Sequence, residues 1–391
     1  MERTHHIYLV PGFLGFANLG RITYFGHVGR ILAERLTELG LEPHIHIVRT
    51  PPTASLPARA ARLVEVIDAT AQRGAAPLHL IGHSSGGLDV RLFTAPGVEL
   101  PTEIDVERLA ARVRTVVTVA TPHHGTPLAS VFTTLRGQQL LQLLSLSTIY
   151  VLNFGYLPIA ALLWMGGLVV RFGGLVANSD LLDEVFGRLL DDFTVGRRRA
   201  VRELLRNVVR DQALMLQLTP EAMEVFNASV LPRPGIRYGS VVAQAARPSL
   251  LSALRMGLDP GAQVTHALYG ALYRLIAAAP ERVTPQLAPA QQSALRRAYQ
   301  ELPSPDANDG IVPTLSQAWG HVVHAAVADH LDVLGHFRDA AHDPPHVDWL
   351  VTGSHFDRER FEALWADVTR YVVGDTLSQP KGRRAAGRPL P

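Results

Sequence analysis

Leu78-His79-Leu80-Ile81-Gly82-His83-Ser84-Ser85-Gly86-Gly87-Leu88 decides the fold of this chain. An apolar run reading as a strand enters Gly-x-Ser-x-Gly, and a Gly-Leu helix start follows. A serine raised off a sheet on a strained strand-to-helix turn brings neighbouring backbone very close, and glycine two positions either side is what fits there. Ser84 has glycine at both places; Ser85 does not. A Gly-rich turn without chemistry is the bland alternative. A phosphate loop is excluded, because no Gly-Lys-Ser/Thr is present.

Working outward, strands and helices alternate. Ile7–Val10 reads as a strand ending at Pro11-Gly12, His44–Val48 as another, and Val113–Val119 as a third, nearly all β-branched. Arg30–Leu39 has helical spacing, with Ile31, Leu32, Leu36 and Leu39 on one face and Gly40 as the stop; Pro57–Ala71 is a second helix. Leu216–Phe226 reads as helix, Ile236–Val242 as a returning strand, and Arg358–Val373 as the last helix. Apolar strands separated by helices predict an α/β fold: a mostly parallel sheet with helices on both faces.

The 391 residues suffice for one large domain with insertions. At 47% hydrophobic and 18% charged, the chain is not a disordered one. A net charge of +2 gives no field for nucleic acid, so no nucleic-acid partner is expected. The absence of cysteine removes disulfides, thiol nucleophiles and zinc–thiolate sites. Met1–His6 is too short and polar for a signal peptide, so the expected location is cytoplasmic, peripheral at a membrane if the apolar insertion described below docks there.

A serine nucleophile needs a general base, and the base needs an orienting carboxylate. Here the chain resembles the α/β-hydrolases, and among them bacterial lipases and esterases. Besides the elbow, three segments carry the resemblance. Leu9-Val10-Pro11-Gly12-Phe13-Leu14-Gly15 looks like the family's oxyanion loop, with Pro11 where His is usual. Ala120-Thr121-Pro122-His123-His124-Gly125 resembles the turn after the next strand. Leu218-Thr219-Pro220 with Phe226-Asn227 resembles a segment before the returning strand. The resemblance implies an acid at Asp309, in Asn308-Asp309-Gly310-Ile311-Val312-Pro313, with Asp306 as its rival. It implies a base at His330, in Asp329-His330-Leu331-Asp332, with His355 as its rival. His321, His324, His336, His342 and His346 read as surface or capping histidines. Their irregular spacing gives no metal motif, and no metal is expected. The oxyanion donors implied are the backbone N–H groups of Phe13 and Ser85. Some similar lipases hold structural Ca²⁺ beside the histidine loop, where Asp332 is the candidate ligand. Calcium wants six to eight oxygens, and 282–305 offers no second Asp upstream of Asp309, so no cofactor is expected.

Gly137–Val170 has no charged residue over 34 positions. It meets the length of a membrane span, yet a single span would put 1–136 and 214–373 on opposite sides of a bilayer. The expected division is a core of 1–130, 231–244 and 304–375, an apolar cap or lid at 131–230, a second helical insertion at 245–303 and a disordered tail at 376–391. The implied function is carboxylic-ester hydrolysis of lipid or other long-chain esters through an acyl-enzyme, with 137–170 docking at a lipid interface or buried as a cap. An acyltransferase or phospholipase on the same triad and a non-enzymatic membrane-associated scaffold are the alternatives.

Overall fold

The computed structural model describes residues 3–13, 24–71, 76–154, 158, 187–249, 259–279 and 283–374. Six strands form one sheet: β1 (Thr4–Val10), β2 (Glu42–Ile47), β3 (Leu78–His83), β4 (Val113–Val119), β5 (Arg237–Gln244) and β6 (His321–Val327). Their order is β2-β1-β3-β4-β5-β6, and each neighbouring pair is parallel. The chain leaves β1 toward β2 and returns on the other side to β3. The order therefore reverses between β1 and β3, which is where sheets of this kind open a crevice beyond their carboxyl ends.

The central strands bury both faces, as their apolar runs require: every residue of β3 is buried. Edge strand β2 departs from that expectation and is half exposed. β1 begins at Thr4 rather than at Ile7. Its polar start is accommodated because His5 Nδ1 meets His79 Nε2 at 3.0 Å and His6 Nδ1 meets His46 Nε2 at 3.0 Å across the sheet. Helix α1 (Gly26–Glu38) starts before the expected Arg30, and Leu39 lies exposed at its cap rather than on the buried face with Ile31, Leu32 and Leu36. Helix α2 (Leu56–Thr70) opens on Ser55, whose side chain accepts from Ala58 N, with Pro57 in the first turn. Leu216–Phe226 is not one helix. Ala213–Gln217 and Pro220–Ser229 are separated at Leu218-Thr219, because Pro220 opens a new first turn.

The described part of the apolar run is one helix, Leu135–Phe154, which buries Leu140, Leu143, Leu146, Ile149 and Tyr150. It packs against the amphipathic helix Val195–Arg210, which buries Val201, Leu204, Leu205 and Val208, and Gln142 Nε2 donates to Leu205 O at 2.9 Å. Within the basic cluster, Arg198 pairs with Asp191 at 3.0 Å. No helix among the described residues is long and apolar enough to cross a membrane. The rest of the run, 155–157 and 159–170, and the tail 376–391 lie outside the described residues. Helices Pro260–Ala277 and Pro289–Tyr299 occupy the second insertion.

Candidate active site

The turn after β3 leads straight into helix α3 (Gly86–Thr94), with Ser85 as its N-cap. Ser84 has φ 55°, the left-handed region that an L side chain enters only when its surroundings force it. The forcing is visible at the glycines. A Cβ on Gly82 would lie 2.4 Å from Gly86 O, and one on Gly86 would lie 2.2 Å from Val10 O. The loop after β1 is equally close, since a Cβ on Gly12 would lie 2.6 Å from Ser84 Cβ. The backbone of Gly12 and Phe13 therefore runs beside the Ser84 side chain.

Asp309 lies between β5 and β6, on the loop before the 3₁₀ turn Thr314–Gln317, and His330 follows β6. His330 Nδ1 donates to Asp309 Oδ2 at 2.8 Å, and both side chains are buried. The other Asp309 oxygen accepts from Ile311 N at 2.9 Å and Val312 N at 2.7 Å, while Gln317 Nε2 donates to Oδ2 at 3.1 Å. Four donors thus fix the carboxylate in one orientation. The rivals stand elsewhere. Asp306 pairs with Arg247, and His355 is exposed with φ 50°. Of the remaining histidines, His321 stacks on Tyr371 and His324 Nδ1 donates to Asp367 Oδ2 at 2.7 Å.

Ser84, His330 and Phe13 line one cavity of ≈ 60 Å³. Its remaining walls are mostly apolar: Leu128, Phe132, Leu144, Met215, Leu218 and Val312 among them. They come from the helix Pro127–Phe132, from Leu135–Phe154, from the start of the segment that returns to β5 and, for Val312, from the loop that carries Asp309. The sheet supplies the polar groups, and the insertion supplies the apolar wall.

Several residues that hold this site went unread in the sequence. Inside the elbow motif, His83 is fully buried. Its Nε2 donates to the carbonyl of His330 at 2.8 Å, so Nδ1 accepts from Tyr24 OH at 2.6 Å. Burial first, and the neighbouring His330 second, push the His83 pKa far down, so the ring is neutral. Tyr24 also takes a backbone hydrogen bond from Gly12, tying the loop after β1 to the His330 segment. Arg59, on α2, is buried with Asp89 at 2.7 Å and donates to Pro11 O at 2.7 Å and Pro51 O at 2.9 Å. It clamps the loop after β1 onto α3. Arg91 Nη2 donates to Asn227 Oδ1 at 3.0 Å, and Asn227 Nδ2 donates to His123 O at 2.7 Å, joining the two other segments that carry the resemblance. Of all these, His83, His123 and Asn227 lie in segments that carry the resemblance, whereas Tyr24, Arg59, Asp89 and Arg91 bear no such mark.

The expectation of no metal meets two clusters of ligating side chains: Asp329, Asp332 and Asp348, and His27, His342 and His346. In the first, one oxygen of each carboxylate lies within 4.8 Å of the other two. The carboxylates beside Asp332 thus lie downstream of Asp309, not in 282–305. Asp329 Oδ1 accepts from Leu331 N, Asp332 N and Trp349 Nε1, while its Oδ2 is buried without a hydrogen-bond partner. Burial pushes the Asp329 carboxyl up to about 7, and burial with the neighbouring carboxylates raises Asp332 and Asp348. Buried carboxylates that repel one another and leave an oxygen unsatisfied fit a hard divalent cation such as Ca²⁺.

No family profile matches the chain, and no curated protein sequence does. Solved structures do. A metagenomic carboxyl esterase superposes with a TM-score of 0.50 at 19% identity, over 95% of this chain and 76% of that one. EstA from Clostridium botulinum gives 0.49 at 17% identity, over 94% and 87%. Lipase 1 from Pelosinus fermentans gives 0.48 at 18% identity, over 95% and 99%. At 19% identity the likeness to the metagenomic esterase speaks for the fold alone. With its all-parallel sheet and the elbow that ends β3, the chain has the α/β-hydrolase fold.

Proposed function

We propose that the chain is a serine carboxylic-ester hydrolase acting on esters of apolar acyl chains. The observation that carries this reading is the buried Asp309–His330 pair at the wall of the cavity that Ser84 enters from its strained elbow. Ser84 Oγ attacks the acyl carbon while His330 Nε2 takes its proton. Asp309 holds Nδ1–H, so the ring presents Nε2 as a base and the imidazolium that forms is stabilised. The backbone N–H groups of Phe13 and Ser85 stabilise the oxyanion. Collapse breaks the ester C–O bond, and His330 returns the proton to the leaving alcohol. Water, deprotonated by His330, then releases the acid and regenerates Ser84.

The apolar wall supports a fatty acyl group as the bound half. The test is hydrolysis of p-nitrophenyl esters from two to sixteen acyl carbons, with and without a lipid interface, together with labelling by a fluorophosphonate. We expect label on Ser84 and kcat/KM rising with chain length. An unlabelled Ser84 would sink the assignment. Leu144→Trp, which fills the cavity from the helix Leu135–Phe154, is expected to move the preference toward short chains by at least about tenfold, since each excluded pair of methylenes is worth roughly 1–2 kcal/mol.

A Ca²⁺ ion would be held by Asp329, Asp332 and Asp348, where it would neutralise three buried carboxylates and stiffen the segment that carries His330. No chemical step runs through it. Added to chelator-treated protein, Ca²⁺ at about 100 times its Kd is expected to stabilise the fold by about 2.7 kcal/mol. For a chain of 391 residues that corresponds to a rise in Tm of roughly 3 °C. Asp348→Asn is expected to remove most of that shift, and a Tm indifferent to Ca²⁺ in the wild type would refute the site.

A further inference from the structure

The second cluster lies away from the catalytic cavity and has no part in the reaction above. His27 stands in the first turn of α1, whereas His342 and His346 lie in the segment between His330 and the last helix, Arg358–Val373. One nitrogen of each lies within 4.8 Å of those of the other two. The rings of His27 and His346 are stacked at 3.8 Å between centroids, and His342 sits 4.8 Å from His346. His27 and His346 are buried, and His342 is half-buried on a cavity of ≈ 260 Å³.

Hydrogen bonding settles which nitrogens are available. His346 Nδ1 donates to Gly335 O at 2.6 Å, and His342 Nδ1 donates to Pro344 O at 2.9 Å. A carbonyl only accepts, so each Nδ1 carries the proton and each Nε2 keeps a lone pair. This is the arrangement found behind metal-bound imidazoles, whose second nitrogen donates to a carbonyl or carboxylate. Simple aromatic packing explains the stack of His27 on His346, which continues to Phe337 at 4.3 Å. It does not explain why a third imidazole, His342, is brought beside them on the cavity.

We propose that His27, His342 and His346 bind one divalent transition-metal ion of the zinc type. Three imidazoles and no carboxylate exclude a hard cation and suit Zn²⁺, with water from the cavity as the fourth ligand. Arg30, Arg35 and Arg358 on the cavity wall oppose a cation, and Glu34, Glu38 and Glu362 on the same wall offset them. The ion clasps α1 to the segment that carries His330. The two are already in close contact, since a Cβ on Gly335 would lie 2.8 Å from His27 Cβ.

The test uses the untagged full chain freed of metal by a chelator. Titration with Co²⁺ is expected to give visible d–d bands that saturate at one equivalent and vanish when Zn²⁺ is added. His342→Ala removes a half-buried ring, so the metal-free variant is expected to keep the wild-type circular dichroism. It is expected to lose the bands and more than about tenfold in Zn²⁺ affinity. His346→Ala is the second variant, read the same way. Asp348→Asn, in the acidic cluster, is expected to leave the bands in place. Absence of bands in the wild type, or their persistence in both histidine variants, overturns the site. Neither readout depends on ester hydrolysis.

Discussion

Ser84→Ala is expected to lower kcat for ester hydrolysis by about 10⁶-fold, the scale on which a triad fails when its nucleophile is lost. The fold is expected to survive, because close backbone packing around Gly82 and Gly86 shapes the elbow, not the hydroxyl. Circular dichroism and Tm should therefore match the wild type. Asp309→Asn is expected to cost about 10⁴-fold, since an amide facing Nδ1 favours the wrong imidazole tautomer. Combining the two should add little to the first, because the residues act as one unit. Hydrolysis by Ser84→Ala within tenfold of wild type would remove the serine from the reaction.

The second large effect falls on stability. Arg59→Met leaves the Asp89 carboxylate buried without its partner, which costs about 3–5 kcal/mol. Burial already pushes the Asp89 carboxyl up to about 6, with Arg59 pulling against it. An acid whose pKa is higher folded than unfolded makes the folded state bind more protons, so stability falls as pH rises. Removing Arg59 takes that pKa further up. The deficit is therefore expected to be largest at pH 8 and to shrink at pH 5, where a protonated Asp89 no longer needs a counter-charge. Urea unfolding at both pH values checks the sign, and an equal deficit at both refutes it. The loop that Arg59 holds through Pro11 O also loses its clamp, so kcat is expected to fall as well.

Much of the sheet was legible because a strand buried on both faces is rich in apolar and β-branched residues, as Leu78–Ile81 and Val113–Val119 are, with only His79 and Arg114 interrupting them. β6 escaped because it is an edge strand. His321-Val322-Val323-His324-Ala325-Ala326-Val327 is exposed at both ends and half-buried at its centre, and it puts two histidines among its apolar residues. Ser84 was legible because its backbone geometry demands glycines at fixed offsets. Arg59, His83 and Gln317 were not, because an arginine, a histidine or a glutamine that positions a neighbour leaves no periodic trace. The carboxylates that stand beside Asp332 are Asp329 and Asp348, both downstream of Asp309. Side chains of this kind are gathered by the return of a loop, and spacing along the chain does not record that return.

The hydrogen bond from His83 to the carbonyl of His330 joins positions 247 apart in the chain. Closing so wide a loop costs entropy before any contact repays it. Contacts of this span also belong to the slow class of folding events. A chain released before β6 has formed would therefore carry its elbow and its apolar wall without a base. The proposed hydrolysis would therefore require the segment after β6 to have docked against the elbow, whatever the order in which the strands form.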